Sequence, residues 1–432
     1  MEKTEVAIVG LGTVGSGVAR LLLDHGDRTA RHAGQTLWLS HVVVRDVSKS
    51  RDAQLPDGLV TDDLNRVIAD PRVKVVAQLI GGIEPARSIM LKLLEGGKDI
   101  VTANKALLAE HGPELFDRAR QLGRSIAFEA SVAGGIPIIT NIGQCLSANQ
   151  VTSLRGILNG TSNFVVTRMD RDKLPYQQAL SQAQQLGFAE ADPTHDVDGS
   201  DSAQKLAILA HLGFGARIRW HDIPRRGIDS LDKADMNYAR QLGYRIKLIA
   251  FAQCSDTGLQ LTVAPMLVEM GKPIAEVQEN FNAISVVGDA VGPVFFHGQG
   301  AGRMPTASAV VADMIDTAVG RTALTFKTLE LWSEGIPRIE MADPGDLSGQ
   351  FYLRFNVRDQ PGVLGQLAGI LGDNSISIAS VFQHTSDIQE DHSVPVVIMT
   401  RATLEKNARN AIIEIEKLPC VMAGTERLRI LD

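Results

Sequence analysis

Residues 187–205, GFAEADPTHDVDGSDSAQK, combine an acidic, turn-rich stretch with a lysine at its end. Ser200 is a suitable N-cap for a helix that runs to about Leu212 and stops at the glycine after it. On that helix Asp201 and Lys205 are four residues apart and share a face. A lysine whose pKa is tuned by its surroundings can donate a proton, and a neighbouring aspartate can hold its ammonium in place. A surface ion pair has the same spacing, but the acidic segment in front favours a site.

A glycine-rich turn near the N-terminus has the pattern of a dinucleotide site. Residues Gly10–Gly15, GLGTVG, follow the apolar run EVAIV, which predicts a strand, and open a predicted helix. In that context glycines permit a tight turn and close approach of the backbone to a pyrophosphate, and the helix N-terminus supplies N–H groups. Because a glycine turn can also serve packing alone, the prediction depends on the strand and helix that flank it.

Basic residues follow the second predicted strand, which ends at Val44. An acidic residue at this point suits the ribose 2′-hydroxyl of NAD, whereas an arginine suits the 2′-phosphate of NADP. Arg45 comes first, Asp46 second, and Lys49 and Arg51 follow. This order favours NADP(H) over NAD(H), although solvated loop charges have the same pattern.

Two more residues complete a possible catalytic set. Lys105, in the run TANK, follows a predicted strand at the edge where open α/β sheets bind ligands. A surface lysine that starts the next helix is the alternative for Lys105, and its position on the sheet favours the site. Glu190 could bind the ammonium group of a substrate. A dinucleotide site beside a proton-donating lysine suits hydride transfer to an aldehyde.

The elements that position these residues change character along the chain. Over residues 1–140, β-branched runs alternate with helical segments, which predicts a Rossmann-type, doubly wound parallel sheet as the dinucleotide-binding domain. One of its helices, Pro113–Leu122, is expected to begin at its proline. Over residues 141–333 paired strands appear, followed by a predicted helix at Thr306–Val319. We expect these residues to form an α+β domain for substrate binding, catalysis and oligomerisation.

The last part of the chain has the order βαββαβ over residues 351–432, which predicts a ferredoxin-like domain. Residues 334–350 in front of it are rich in Pro, Gly and Asp and are expected to be a linker. Truncation within that linker is therefore expected to leave an active enzyme, provided that the last domain is not needed for assembly. The turn DQPGVL lies between the first strand and the first helix, and Gly362 would free N–H groups there for a carboxylate.

Composition excludes several classes of protein. Of the 432 residues, 44% are hydrophobic and 22% are charged, so the chain is globular and long enough for two or three domains. The net charge of −7 disfavours nucleic acid and anionic membranes as partners. Three widely spaced cysteines are typical of reduced thiols and not of a zinc site. The chain has no membrane-length apolar run, and its N-terminus looks like a strand, so we expect a cytoplasmic protein.

Five runs of sequence resemble the homoserine dehydrogenase family, namely TANKALL, EASVAGGIP, RGILNGTSNF, GFAEADPTHDVDGSDSAQKL and GQGAGRMPTASAVVAD. They occur in order within residues 5 to about 320, and the fourth is the most specific. The resemblance implies NAD(P)-dependent interconversion of L-aspartate 4-semialdehyde and L-homoserine, a step in threonine, methionine and isoleucine biosynthesis.

The resemblance also implies roles for individual residues. Lys205 resembles the family's proton donor, with Asp201 beside it, and Lys105 resembles a lysine at the nicotinamide and the substrate carbonyl. The division of the acid/base role between the two lysines stays open. The implied substrate-binding residues are Gly187, Glu190 and Asp201. The expected dinucleotide-binding residues, which include those of the glycine turn, are Gly10, Gly12, Thr13, Val14, Gly15, Arg45, Lys105 and Gly302. The family also binds a sodium ion, mainly through backbone oxygens, and the matching positions are Glu129, Val132, Gly134 and Ile136.

The DQPGVL turn resembles the DxPGVL turn of ACT domains, which bind amino acids and regulate biosynthetic enzymes. The expected effector-binding residues are Asp359, Gly362, Leu364, Asn374 and Ile376. Threonine is the expected effector. A domain used only for assembly is the alternative, because the fold alone does not imply ligand binding. The paired strands of the middle domain and the habit of ACT domains predict a homodimer or homotetramer.

Two other functions fit parts of the sequence. One is another small amino-acid dehydrogenase, such as an enzyme that acts on aspartate. The other is a non-catalytic NAD(P)-binding amino-acid sensor, which would need neither Lys205 nor Asp201. An acylating semialdehyde dehydrogenase is excluded, because none of Cys145, Cys254 and Cys420 lies in a recognisable nucleophile setting.

Overall fold

The fold was obtained as a computed structural model, which describes residues 3–51, 53–333, 339–383, 393–422 and 424–431. Residues 334–338 of the predicted linker lie outside the described residues. Among the helices that are described, none has the length and apolar character needed to cross a membrane.

The described strands, in chain order, are β1 (Lys3–Val9), β2 (Thr36–Val43), β3 (Val60–Thr61), β4 (Val73–Gln78), β5 (Asp99–Thr102), β6 (Ile126–Ala127), β7 (Val151–Ile157), β8 (Tyr244–Ser255), β9 (Gly258–Glu269), β10 (Phe281–Gly288), β11 (Gly292–Gln299), β12 (Ser348–Arg358), β13 (Ile378–Phe382), β14 (Ser393–Thr400), β15 (Thr403–Leu404) and β16 (Glu426–Leu431).

The described α-helices are α1 (Thr13–Asp24), α2 (Gly26–Ala33), α3 (Asn65–Ala69), α4 (Ala86–Glu95), α5 (Lys105–Gln121), α6 (Ile138–Thr140), α7 (Gly160–Arg171), α8 (Tyr176–Gln185), α9 (Thr194–Val197), α10 (Ser200–Phe214), α11 (Lys233–Gln241), α12 (Arg303–Ala318), α13 (Arg321–Leu329), α14 (Val363–Asp373) and α15 (Glu405–Ile415). Short 3₁₀ turns occupy Glu129–Ser131, Trp220–Asp222 and Pro344–Asp346, and a π-turn occupies Asn141–Cys145.

The chain divides into two compact units, each assembled from separate stretches. Unit 1 consists of Met1–Gly160, Ser200–Pro224 and Asn280–Ile339. Unit 2 consists of Thr161–Gly199, Arg225–Glu279 and Glu340–Asp432.

Unit 1 contains a parallel sheet in the order β3-β2-β1-β4-β5-β6. This is the strand order of the Rossmann fold, and the predicted doubly wound sheet is confirmed. Helices α1 and α12 cover the sheet together, since Val6 and Ile8 of β1 form one buried cluster with Val18 of α1 and with Val310 and Met314 of α12. The predicted helix near the end of this region therefore packs on the first strand of the chain.

Helix α5 begins earlier than the sequence predicted. The Oδ1 atom of Asn104 accepts a hydrogen bond from Leu107 N at 3.1 Å and caps the helix. The helix then runs through Pro113, so the expectation that this proline begins it is wrong. An asparagine cap satisfies the first N–H groups of a helix and thereby decides where it starts.

Helix α10 also differs at both ends from its prediction. Ser200 is its first residue and not its cap, and the helix continues past Gly213 to Phe214. The chain leaves the helix at Gly215, whose φ of +68° is suited to glycine at a helix end.

A second sheet region of unit 1 is antiparallel, and β10 lies between β7 and β11. Asn282 is paired with Gly298 across the β10–β11 ladder, and Ala283 is paired with Ile157 across the β10–β7 ladder. This register brings the residues that follow β7 next to the first residues of β10.

Unit 2 contains the C-terminal domain, whose strands have the order β16-β12-β14-β13 and are antiparallel. With α14 and α15 they form the predicted ferredoxin-like βαββαβ domain, which is confirmed. Strand β12 already begins at Ser348, within the stretch expected to be a linker. Strand β16 also pairs in parallel with β9, so the sheet of this domain continues into the β8–β9 hairpin.

A buried ion pair reinforces this continuity within unit 2. Arg354 of β12 donates to both carboxylate oxygens of Asp235 on α11, at 2.7 and 2.9 Å, and Tyr352 donates its hydroxyl to the same carboxylate at 2.9 Å. Loss of β12 would leave the fully buried Asp235 without these partners, which is strongly destabilising. The expectation that truncation within the linker leaves an active enzyme is therefore revised.

His211 lies in an aromatic core of unit 1, stacked on Trp332 with ring centroids 4.4 Å apart. Its Nδ1 atom faces the Ala216 oxygen at 2.9 Å, and its Nε2 atom accepts a hydrogen bond from Trp332 N at 2.6 Å. A second proton, on Nε2, would point at the Trp332 N–H group and is therefore disfavoured. Burial lowers the pKa of His211 to about 4, although the bond to Ala216 opposes the shift.

We expect the variant His211→Gln to make unfolding less sensitive to acid. The folded pKa lies below the ordinary value of 6.5, so the unfolded chain binds more protons between pH 6.5 and 4. The free energy of unfolding then falls as the pH drops through this window, by on the order of 3 kcal/mol. Glutamine keeps one donor and one acceptor but does not titrate. Thermal unfolding at pH 7.5 and 5.0 should show a smaller decrease in Tm for the variant; equal decreases would contradict the prediction.

Candidate active site

The turn between β1 and α1 has the geometry that a pyrophosphate site needs. Gly10 has a φ of +101°, and a Cβ atom there would lie 3.0 Å from the Leu79 carbonyl. A Cβ atom on Gly15 would overlap the Gly10 oxygen. A Cβ atom on Gly12 would have no heavy atom of the described chain within 4 Å. The first and third glycines are therefore required by the fold, whereas the second faces open space, as the approach of a pyrophosphate requires.

The two positions after Gly12 begin α1. Thr13 is the first residue of the helix, Val14 follows it, and within the described chain no side chain caps this end. The start of α12 lies close by, since a Cβ atom on Gly17 would be 2.9 Å from the Arg303 oxygen. Gly302 is the N-cap of α12 and has a φ of +128°. Its predicted place near the dinucleotide turn is thus consistent with the packing of α12 on α1.

The end of β2 lies against the glycine turn, because Gly10 N donates to the Val43 oxygen at 2.9 Å. Arg45, two residues further on, is exposed. The Asp46 carboxylate accepts from Ser48 Oγ at 2.6 Å and from Ser48 N at 2.9 Å, and these bonds lower the pKa of Asp46. Asp46 is therefore engaged in its own turn, while the Arg45 side chain is exposed just past the end of β2.

Asp201 joins the two lysines that the sequence singled out. Its Oδ2 atom accepts from Lys205 Nζ at 2.7 Å, and its Oδ1 atom lies 2.9 Å from Lys105 Nζ. Helix α10 presents Asp201 and Lys205 from successive turns, while Lys105 is the first residue of α5, just after β5. The predicted catalytic residues therefore meet in one cluster, at the carboxyl end of the parallel sheet.

Two groups of this cluster were missed by the sequence analysis. Asn159 Nδ2 donates to Asp201 Oδ2 at 2.9 Å, and the Leu158 oxygen accepts from Lys205 Nζ at 2.6 Å. Both residues follow β7 in the run RGILNGTSNF, one of the five runs that carry the family resemblance. An asparagine beside a backbone turn was the one signal for Asn159, and nothing in a sequence marks a backbone oxygen.

Two members of the cluster are buried and Lys105 is partly exposed, and two basic side chains face one acidic side chain. The side chains of Asp201 and Lys205 are 8% and 10% exposed, and that of Lys105 is 37% exposed. Burial raises the pKa of Asp201, but Lys205, Lys105 and Asn159 together lower it more, so it lies well below its usual range. Asp201 is therefore ionised throughout the working pH range and balances one of the two ammonium groups.

Gly187 and Glu190 belong to unit 2. Gly187 follows α8 with a φ of +73°, and its N–H donates to the Gln184 oxygen at 3.0 Å. Glu190 is exposed, and its backbone oxygen accepts from Gln184 Nε2 at 3.3 Å. Their grouping with Lys205 and Asp201 stays a prediction.

Glu129 begins a buried turn that also contains Val132, Gly134 and Ile136. The Glu129 carboxylate accepts from Ile139 N at 2.8 Å and from Thr140 N at 2.9 Å, at the start of α6. Burial raises the pKa of Glu129 although these bonds oppose the shift. The side chain therefore anchors the turn to the following helix.

The expected effector residues divide between the two ends of α14. Near the start of the helix, Asp359 is exposed and Leu364 is 43% exposed. Gly362 is the N-cap, with a φ of +89°, and no side chain among the described residues caps this end of the helix. At the other end Asn374 donates its amide to the Ile370 oxygen at 3.0 Å. The Ile376 side chain is buried in the core of the domain, two residues before β13 begins.

Models of known families match three parts of the chain. The model described as the homoserine dehydrogenase NAD binding domain matches residues 10–129, the model described as homoserine dehydrogenase matches residues 137–315, and the ACT domain model matches residues 351–417.

Whole-length relatives carry the same name. The chain is 40% identical to the homoserine dehydrogenase of Pseudomonas aeruginosa over 438 residues, covering 100% of this chain and 99% of the relative. It is 37% identical to that of Bacillus subtilis over 436 residues, with 100% and 99% covered. A crystal structure of a homoserine dehydrogenase from Thiobacillus denitrificans is 38% identical, with a TM-score of 0.92 and with 100% and 99% covered.

A Rossmann sheet with a dinucleotide turn, next to a buried cluster of two lysines, places the chain among the NAD(P)-dependent oxidoreductases. Within that class the chain belongs to the homoserine dehydrogenase family. It interconverts L-aspartate 4-semialdehyde and L-homoserine. The match to the family's catalytic model over residues 137–315 favours this function over a non-catalytic sensor and over another amino-acid dehydrogenase.

We expect Gly12→Ala to fold normally but to bind NADPH at least about tenfold more weakly, a loss of roughly 1.4 kcal/mol. The added methyl group meets no described atom and the φ of −82° suits alanine, yet the methyl occupies the space that the pyrophosphate needs. Gly15→Ala should instead lower Tm, because its Cβ overlaps the Gly10 oxygen. Fluorescence titration with NADPH and thermal unfolding measure the two effects.

Gly26→Ala is the matched control, since a Cβ atom there also meets nothing within 4 Å of the described chain. That variant should change neither NADPH affinity nor Tm. Unchanged NADPH affinity in Gly12→Ala would show that the open space at Gly12 is not the pyrophosphate site.

Proposed function

We propose that Lys205 is the general acid and base of the reaction. When bound, the nicotinamide supplies the hydride to the aldehyde carbon of the semialdehyde. Lys205 then gives a proton from Nζ to the resulting alkoxide, which becomes the hydroxyl of homoserine, and removes that proton in the reverse direction. The observation that carries this proposal is the contact of Asp201 with both lysines in one buried cluster.

The hydrogen bonds of Lys205 support this role. Its ammonium group donates to Asp201 and to the Leu158 oxygen, so its direction is held by two acceptors on different elements. A donor fixed in advance costs little reorganisation when charge develops in the transition state. The net positive charge of the cluster also stabilises the alkoxide.

Lys105 has a second, supporting role in this proposal. It lies on the other oxygen of Asp201 and is more exposed than Lys205, so it is positioned to polarise the carbonyl of a bound substrate. A shared acid/base role for Lys105 is the alternative, and the variants Lys205→Met and Lys105→Met distinguish the two possibilities.

The remaining substrate and cofactor contacts are part of the proposal. Glu190 binds the α-ammonium group of the substrate, with the backbone near Gly187, and its exposure supports this role. Arg45 binds the 2′-phosphate, which gives a preference for NADP(H). An exposed guanidinium beside the dinucleotide turn supports that preference, because arginine binds phosphate through paired hydrogen bonds.

The turn that starts at Glu129 is the proposed site of the sodium ion that the family resemblance implies. Among the described residues no group of three acidic, histidine or cysteine side chains could hold a metal, and the Glu129 carboxylate is already bonded to α6. Any ion in this turn would therefore be held by the backbone oxygens of Glu129, Val132, Gly134 and Ile136. Carbonyl oxygens suit a hard cation, and the ion would stiffen the turn without taking part in proton transfer.

The C-terminal domain is proposed to bind threonine and lower the dehydrogenase activity. The open start of α14, where Gly362 leaves backbone N–H groups uncapped among the described residues, supports binding of an amino-acid carboxylate. Asp359 and Leu364 flank that start. The roles of Asn374 and Ile376 stay predictions.

Contacts within unit 2 offer a route for this regulation. Arg226 donates to Glu426 of β16 at 2.6 Å. Ile228, two residues on, donates its N–H to the Val197 oxygen at 2.9 Å. Val197 lies in the acidic stretch four residues before Asp201 in the sequence. A shift of β16 would therefore act on the chain that leads into the catalytic helix.

The wider organisation of the molecule is also proposed and not established. We infer a dinucleotide domain over residues 1–140 and a catalytic and oligomerisation domain over 141–333. The linker was predicted over 334–350 and the regulatory domain over 351–432, and since β12 begins at Ser348 their boundary is placed before that residue. A homodimer or homotetramer in the cytoplasm is the expected form. Size-exclusion chromatography with light scattering tests the oligomeric state.

We expect Lys205→Met to lower kcat by about 10²- to 10⁴-fold while the Kd for NADPH changes little, because proton transfer is lost but the dinucleotide turn is intact. Lys105→Met should lower kcat less and raise the KM for the semialdehyde. Near-normal turnover in Lys205→Met, with a large loss in Lys105→Met, would assign the acid/base role to Lys105.

Lys98→Met is the matched control for loss of a buried lysine. Lys98 is 3% exposed and donates to the Asp70 and Val73 oxygens at 2.6 and 3.1 Å, away from the cluster. This variant should lower Tm but keep kcat. A comparable loss of kcat in Lys98→Met would mean that the Lys205 effect is one of folding.

We expect threonine to bind the full-length protein and to lower kcat or affinity, since couplings between sites are typically about 1–3 kcal/mol. Calorimetry with threonine, isoleucine, methionine and lysine tests binding without truncation. Glu426→Gln should keep threonine affinity but weaken the inhibition, because the ion pair with Arg226 is lost. If none of the four amino acids binds, the domain serves assembly only.

A further inference from the structure

Asn282 lies next to the catalytic cluster but has no part in the roles described so far. It is 1% exposed, at the start of β10, and its Nδ2 atom donates to the Leu158 oxygen at 3.0 Å. The same oxygen accepts from Lys205 Nζ at 2.6 Å. One backbone oxygen is thus shared by the amide of Asn282 and the proposed proton donor.

The chain makes room for this amide on its other side. A Cβ atom on Gly300 would overlap the Asn282 side chain, so only glycine fits there. Gly298 is the cross-strand partner of Asn282 in the β10–β11 ladder. Gly300, in the run GQGAG, is therefore required by the presence of the Asn282 side chain.

Packing alone does not account for an asparagine at this position. The Oδ1 atom of Asn282 is buried and has no hydrogen-bond partner among the described residues. An unsatisfied buried acceptor costs free energy, and a leucine of similar size would avoid that cost. The orientation of the amide is also settled, because only the NH₂ group can donate to the Leu158 oxygen. The fold therefore keeps the NH₂ group of Asn282 as a donor, although the buried Oδ1 atom without a described partner costs free energy.

We propose that Asn282 is a positioning residue for proton transfer. Its amide fixes the direction of the Leu158 carbonyl, and this carbonyl in turn orients the ammonium group of Lys205. Asn282 touches neither substrate nor proton, and its effect passes through one shared oxygen atom. The proposal rests on the catalytic role of Lys205 and adds a residue to that same site.

The test is a double-mutant cycle of kcat with Asn282→Leu and Lys205→Met, measured with NADPH and the semialdehyde. With Lys205 present, Asn282→Leu should lower kcat by about 10- to 100-fold, the usual scale for a misplaced catalytic group. With methionine at position 205, the same substitution should lower the residual kcat less than about twofold, because no ammonium remains to be oriented. The Tm of Asn282→Leu should equal or exceed that of the parent protein, since the unsatisfied acceptor is gone.

Asn282→Asp provides a second measurement that does not depend on an apolar replacement. The aspartate keeps the shape but loses the donor and places a negative charge close to Lys205, so the pH profile of kcat should move to higher pH. Gly300→Ala should reproduce the loss of kcat by displacing the amide.

Three results would overturn the proposal. The first is an unchanged kcat in Asn282→Leu, and the second is an equal fold-loss of kcat with lysine and with methionine at position 205. The third is failure of both Asn282→Leu and Asn282→Asp to fold. Each of these results would make the role of Asn282 purely structural. A normal kcat in Lys205→Met would instead reject the proposed function on which the cycle depends, so the two failures are distinguishable.

Discussion

The charge of Asp201 is the constraint on which the site depends. A carboxylate that is 8% exposed is stable only if its lost hydration is replaced, and here two ammonium groups and one amide replace it. Each partner comes from a different element: α10 itself, the start of α5, and the turn after β7. Satisfying one buried charge therefore brings together three parts of the chain that are distant in sequence.

The same arrangement places two lysines against one carboxylate. Asp201 divides its two oxygens between Lys205 and Lys105, so neither lysine has the carboxylate to itself. In the proposed reaction Lys205 is held by this carboxylate and by the Leu158 oxygen, which together fix the direction of its ammonium group.

Much of the fold was predictable because its signals are local. The alternation of apolar runs with helices indicated the Rossmann sheet, and the order βαββαβ indicated the last domain. The start of α5 was mispredicted because two local rules competed, and the cap at Asn104 prevailed over the proline at position 113. The pairing of β16 with β9 had no local signal, since parallel pairing over such a separation leaves no pattern in either strand.

The candidate site was predictable to a similar extent and for the same reason. Asp201 and Lys205 were found through their spacing on one helix, and Lys105 through its place at the end of a strand. Asn159, Asn282 and the Leu158 oxygen join them through strand register, which a single sequence does not reveal. Ile376, which was expected to bind the effector, lies in the core of its domain, and its role in effector binding stays a prediction.

The packing of α12 on β1 has a consequence for synthesis of the chain on the ribosome. Val6 and Ile8 are synthesised about 300 residues before Val310 and Met314, which complete their core. Until then one face of the nascent sheet is uncovered, and exposed apolar surface of this kind favours aggregation. The core of the N-terminal sheet is therefore complete only after helix α12 has been synthesised.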